Sequence, residues 1–122
     1  GLSHKFKRGT RPILEQASRD RALVVSSISI WEIGMLAGKH RLRPGKTLDD
    51  WMATARAAPG LAVAPVTPEI ALDASRLEEL DHGGLADRII IATARSMNAT
   101  LLTADERILA YAKRGYCRAR HP

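Results

Sequence analysis

The chain has 122 residues, enough for one domain with its own core, and 45% hydrophobic content with only 4% aromatic residues suits helices on a small sheet better than a β-sandwich. Nineteen Lys and Arg against thirteen Asp and Glu give a formal charge of +6 and a pI near 10.1, which favours an anionic partner. A single cysteine, Cys117, excludes an internal disulfide and a cysteine-based zinc cluster and points to a reducing, cytoplasmic setting. No apolar run approaches the ~20 residues of a membrane span, and Gly1 to Pro12 is basic and polar without the apolar core of a signal peptide.

In chain order, Thr10 and Pro12 mark a helix start, with Ile13, Leu14 and Ala17 as a modest apolar stripe ending near Asp20. Ala22 to Ser26 follows as a short buried strand. Ser27 is placed to cap a helix from Ile28 to about Leu36, which Gly38 ends, with Lys39, His40 and Arg41 just beyond. Ile28, Glu32 and Leu36 fall four apart and Trp31 pairs with Met35, so Glu32 lies on or beside an apolar stripe. A carboxylate there is costly unless it meets an arginine, bends to solvent or binds a cation.

Arg43 to Lys46 reads as a loop. Thr47 then caps a helix over Leu48 to Ala58, packed through Trp51, Ala55 and Ala58 and ended by Pro59-Gly60. Leu61 to Val66 is a strand whose Pro65 marks an end or an edge. Thr67-Pro68 starts a helix over Glu69 to Leu80, and Asp81-His82-Gly83-Gly84 is a loop, His82 being a loop histidine near the mouth of any site. Leu85, Ile89 and Ala92, with Ile90, Ala94 and Met97, recur at helical spacing, and Thr100 to Thr103 is a brief strand. A helix over Arg107 to Lys113 closes the pattern, and Gly115 to Arg118 adds an edge strand.

Asp87 and Asp105 join Glu32 as the residues that invite chemistry. Each has a plain structural reading: Asp87 in a helix's first turn meets the favourable dipole, and Thr103-Ala104-Asp105-Glu106 is a capping box in which Thr103 and Glu106 satisfy the orphan amides. In a strand-helix-strand arrangement, however, all three acids arrive at the carboxyl edge of a parallel sheet, where open α/β sheets bind ligands. A carboxylate cluster repels itself, and a hard divalent ion such as Mg²⁺ or Mn²⁺ relieves that repulsion through oxygen ligands. Such an ion polarises a phosphoryl oxygen and draws a nucleophile from water. A surrounding basic surface attracts the phosphodiester.

Val25 to Ile33, Ala86 to Ala94 and Leu101 to Asp105 together resemble PIN domains of the VapC toxin type, with similar order and spacing from about Leu23 to the C-terminus. The resemblance implies a three-layer α/β fold over 1–122, with a small parallel sheet flanked by helices. It implies a metal-dependent endoribonuclease of a toxin-antitoxin system, using Mg²⁺ or Mn²⁺, partnered by a VapB-type antitoxin and often homodimeric. By it Glu32, Asp87 and Asp105 are catalytic, metal-binding acids and Thr103 a polar residue beside the metal. Arg88, Lys39, His40, Arg41 and Arg43 are candidate phosphate contacts, or ordinary solvated cations.

Domains of that type open with a central strand ending in an aspartate, commonly as Leu-Asp-Thr-His. Before Glu32 the only acids here are Glu15 and Asp20, and neither follows an apolar strand. Two expectations follow. The metal site is short of one ligand, so a catalytically impaired module that binds RNA or an antitoxin without cleaving is the alternative reading. The sheet also lacks its middle strand and leaves unpaired edges for another segment or chain to fill. A structural module ranks third, and a receiver-type phosphorylation domain is disfavoured because no nucleophilic aspartate ends a central strand.

Overall fold

A computed structural model describes residues 23–37, 47–80 and 83–121. The expected helix over Thr10 to Asp20, and the residues Lys39, His40, Arg41, Arg43 and His82, lie outside the described residues, as do the side chains of Leu36 and Trp51. The elements run β1 (Leu23–Ser26), α1 (Ser27–Ala37), α2 (Leu48–Ala57), β2 (Leu61–Ala64), α3 (Pro68–Ser75), α4 (Leu85–Ser96), β3 (Thr100–Leu102), α5 (Glu106–Lys113) and β4 (Arg118–Arg120). This is the α/β alternation expected from the sequence.

Local chemistry explains most of these boundaries. Thr47 and Thr67 cap their helices, each hydroxyl accepting from the amide three residues on, Asp50 at 3.0 Å and Ile70 at 3.1 Å. β2 stops at Ala64 because Pro65 brings no amide hydrogen to a ladder. Asn98 closes α4 in the left-handed conformation (φ 53°) that asparagine tolerates, and the Ala99 amide reaches back to the Ala94 carbonyl at 2.8 Å.

Besides the shorter β2, and α2 and β3 that each end one residue early, four boundaries differ from expectation. Ser26, and not Ser27, supplies the cap of α1, its hydroxyl accepting from the Ile28 amide at 3.2 Å. The helix expected over Glu69 to Leu80 ends at Ser75, because Leu77 turns into the core and Glu79 takes a positive φ of 60°, which a helix excludes. The last strand is Arg118–Arg120 rather than Gly115 to Arg118, since Gly115 (φ 92°) is spent on turning the chain out of α5. The start of α5 differs as well, as described with the site.

The sheet differs from a single layer. β1 pairs in parallel with β2, Leu23 opposite Leu61 through Ser26 opposite Ala64, and β3 pairs in parallel with β4, Thr100 opposite Arg118 through Leu102 opposite Arg120. Among the described residues these are two separate two-stranded sheets. A cavity of about 80 Å³ lies between them, bordered by Val24 and Ser26 of β1 and by Thr100 and Leu101 of β3, with Ile90 and Thr93 of α4 along its floor.

α4 organises the core because Ile89, Ile91, Ala92 and Ala94 bury two of its faces. Ile89 and Ala92 pack with Ile70 and Ala74 of α3, with Ile28 of α1 against them. Ile91, fully buried, packs on the other side with Leu77, Ile108 and Tyr111, against Leu101 and Ala119 of the second strand pair. The apolar stripe drawn through Leu85 and Met97 does not hold at its ends. Both side chains are exposed, as are Trp31 and Met35 beside Glu32 on α1.

Candidate metal centre

Each of the three acids stands at or near the start of a helix that follows a strand or a loop. β1 ends at Ser26 and α1 starts at once, so Glu32 sits in the second turn of α1. Gly84 begins α4 without a side-chain cap, which leaves Asp87 in the first turn as the acid nearest that end's free amides. β3 ends at Leu102, and Asp105 is the N-cap of α5.

Asp105 accepts two backbone bonds on one oxygen: Oδ1 takes the Arg107 amide at 2.8 Å and the Ile108 amide at 3.1 Å. Thr103 therefore does not cap α5. Its hydroxyl accepts from the Asp105 amide at 3.0 Å, while its own amide donates to the Arg120 carbonyl at 3.0 Å. Asp105, one side chain closer to the helix, reaches the orphan amides first, and the capping box centred on Thr103 gives way to an aspartate cap fixed by a threonine turn. Asp105 keeps Oδ2 clear of these bonds.

The three acids sense one another in sequence. Partial burial pushes the Glu32 carboxyl up from the ordinary range, and the neighbouring charge of Asp87 adds to the rise. Burial likewise pushes Asp87 up, helped by Asp105 and opposed by the Arg107 guanidinium. Asp87 is thus the middle member of a line of three carboxylates. No hydrogen bond or ion pair from another described residue reaches Glu32 or Asp87, so the arginine partner that would explain Glu32 structurally is not found among them.

The donor set suits a hard divalent cation in kind: oxygen ligands whose mutual repulsion is unrelieved. In arrangement it falls short, since among the described residues no group of three His, Cys, Asp or Glu side chains is placed to hold a metal ion.

The cationic candidates fare differently. Arg88 is half-buried and its guanidinium works on the backbone, Nε donating to the Ala74 carbonyl at 2.8 Å and Nη1 to the Leu80 carbonyl at 3.1 Å. It ties the end of α3 and the following turn to α4, which leaves it poorly placed as a phosphate contact. The residue that sequence reasoning passed over is Arg107, exposed in the first turn of α5 and close enough to Asp87 to hold its carboxyl down. The signal was available: Arg107 lies two residues after Asp105 at a helix start, where side chains of the first turn share an end with the cap.

The family model for the PIN domain matches residues 2–114. This chain belongs to the PIN domain family. No curated protein and no solved structure matches it. The family match reaches back to residue 2, well before the motifs that begin near Leu23, and stops short of β4. A PIN domain has a nuclease-type fold and is generally dependent on divalent metal ions. Among the described residues of this PIN domain no helix is long and apolar enough to cross a membrane. Cys117 is half-buried with its thiol pushed up by burial, which leaves it a packing residue rather than a nucleophile.

Proposed function

We propose that this PIN domain is a VapC-type toxin, a metal-dependent endoribonuclease that hydrolyses RNA phosphodiester bonds. The observation that carries the reading is the line of mutually repelling carboxylates Glu32, Asp87 and Asp105 in a net-basic PIN domain. Three neighbouring acids with Arg107 as the one cation acting on them among the described residues cost stability, and a chain keeps such a cluster where a cation is to be held.

In this reading Glu32, Asp87 and Asp105 would hold Mg²⁺ or Mn²⁺, which would supply charge neutralisation at a phosphoryl oxygen and a more acidic water. The chain's own residues do the positioning. Asp105 is oriented by the two amides on Oδ1, so Oδ2 is presented in a fixed direction. Thr103 locks the turn that carries Asp105 and holds its hydroxyl beside it. Asp87, raised by burial and then by Asp105, would gain from a cation, whose charge offsets the Asp105 repulsion and favours the ionised carboxylate. A VapB-type antitoxin, a homodimer and a cytoplasmic setting belong to the same proposal.

One observation favours a second reading, a catalytically impaired module that binds RNA or an antitoxin without cleaving: the described acids alone do not close a metal site. The two are separated by incubating the purified chain with structured and single-stranded RNAs in Mn²⁺, in EDTA and as the Asp87→Asn variant. Cleavage in Mn²⁺ that disappears in both controls supports the nuclease. A folded chain that cleaves nothing at any Mn²⁺ concentration refutes it and leaves the binding module.

A further inference from the structure

From Arg107 to the end, the sequence carries Arg107, Lys113, Arg114, Arg118 and Arg120 and not one carboxylate, against a formal charge of +6 for all 122 residues. That stretch is α5 beyond its first residue, Glu106, together with β4, and the two elements pack on each other through Ile108, Tyr111 and Ala119. Between the two elements runs an open groove of about 480 Å³ with Leu109, Ala112 and Ala119 on its floor and Lys113, Arg118 and His121 at its rim. The volume is in the ~300–1,000 Å³ range of ligand sites.

We propose that this α5–β4 face is the docking surface for the single-stranded RNA segment that flanks the carboxylate line, an inference that rests on the nuclease reading and locates its substrate. Three features point to RNA. The rim carries Lys113 and Arg118, as a groove that tracks a phosphate backbone requires, above an apolar floor of Leu109, Ala112 and Ala119. Arg118 and Arg120 alternate along β4, about 6.6 Å apart at a strand's rise, on the scale of neighbouring phosphates in an extended strand. Arg118 is anchored by donating to the Asn98 carbonyl, while Arg114 is already shared between Glu79 and the Tyr116 ring. Exposed Lys113 and Arg120 have no such engagement with other described residues.

The face is continuous with the acids. The Arg120 carbonyl accepts the Thr103 amide at 3.0 Å, and the Arg107 amide donates to Asp105 at 2.8 Å. A strand lying along β4 therefore arrives at Asp105 without leaving the cationic surface, and Arg107 stands at the junction.

The test is the double variant Lys113→Gln/Arg120→Gln, with a 12-nucleotide single-stranded RNA followed by fluorescence anisotropy in EDTA, so that no cleavage is needed. The expected result is affinity lowered about tenfold at low salt and a salt slope shallower by about 1.4, two contacts at ~0.7 each. Where the parent cleaves, the variant raises KM for the 12-mer, leaves kcat unchanged and treats a dinucleotide as the parent does. Unchanged affinity and slope in a folded variant, or no RNA binding by the parent, overturns the proposal even if cleavage is found. A variant that keeps RNA affinity but loses binding to a polyglutamate peptide also overturns it, assigning the face to an acidic protein segment. RNA binding through this face by a parent that never cleaves supports it while refuting the nuclease.

Discussion

Asp105 has two separable duties, and a pair of substitutions tells them apart. As N-cap it accepts the Arg107 and Ile108 amides at 2.8 and 3.1 Å on a single oxygen. Asp105→Ala leaves both amides unpartnered at the start of α5, a loss of about 1 kcal/mol on the experience of N-cap truncations. For a domain of this size that lowers Tm by about 3–6 °C. Asp105→Asn keeps an acceptor in the same place. It surrenders ~0.3–1 kcal/mol of charge-dipole attraction at the helix end and removes the repulsion that raises Asp87, two effects of opposite sign. Its Tm is expected within about 2 °C of the parent. Both variants are expected to lose RNA cleavage alike, because both remove the carboxylate. Differential scanning calorimetry in EDTA, with cleavage followed in Mn²⁺, reads the two duties. If alanine and asparagine shift Tm equally, Asp105 is not the cap. If Asp105→Asn cleaves like the parent, Asp105 is not a metal-holding acid.

Asp87→Asn is expected to raise Tm at pH 7 without divalent metal, and the sign follows from the shift. A carboxyl whose folded pKa lies above its unfolded value stabilises the fold while protonated and loses that contribution as pH rises through the folded value. The advantage of Asp87→Asn over the parent should therefore shrink to nothing as pH falls below the ordinary carboxylate range, and a gain independent of pH would contradict the assignment. Arg88→Gln leaves the Ala74 and Leu80 carbonyls without their cationic donor and is expected to cost about 1–3 kcal/mol in urea unfolding. Loss of RNA affinity with unchanged stability would instead restore Arg88 as a phosphate contact.

What could be read in advance was governed by local chemistry. Thr47 and Thr67-Pro68 announce helix starts because a hydroxyl three residues from an amide needs no tertiary partner, and both caps are found. The rows Leu85, Ile89, Ala92 and Ile90, Ala94, Met97 announce α4 by their helical spacing, and their middle members Ile89, Ala92 and Ala94 are buried. What could not be read depended on distant partners. α3 ends at Ser75 because Leu77 has a place beside Ile91 and Arg88 collects two carbonyls, and neither fact is visible from residues 69–80 alone. The division into two strand pairs is of the same kind, since short strands declare their existence in sequence and their neighbours only in space. For the site, the three acids were legible as residues. The replacement of Thr103 by Asp105 as cap, and the place of Arg107 against Asp87, required the turn after β3.

That turn suggests why the acids differ in their readiness for a cation. Asp105 is pre-oriented at no cost to a ligand, because the helix that needs its Oδ1 leaves Oδ2 uncommitted. Asp87 and Glu32 receive no hydrogen bond from the described residues, so their orientation must be supplied when a cation arrives, and their raised proton affinity sets a competition that acid favours. Arg107 enters the same balance with opposite effects on the two charged partners of the reaction. It competes with a divalent cation for Asp87 and attracts the phosphate that the cation would hold. If the proposed nuclease reading holds, metal should bind weakly alone and more tightly once an anionic strand lies against Arg107, so that titrating Mn²⁺ with and without RNA should show each raising the affinity for the other.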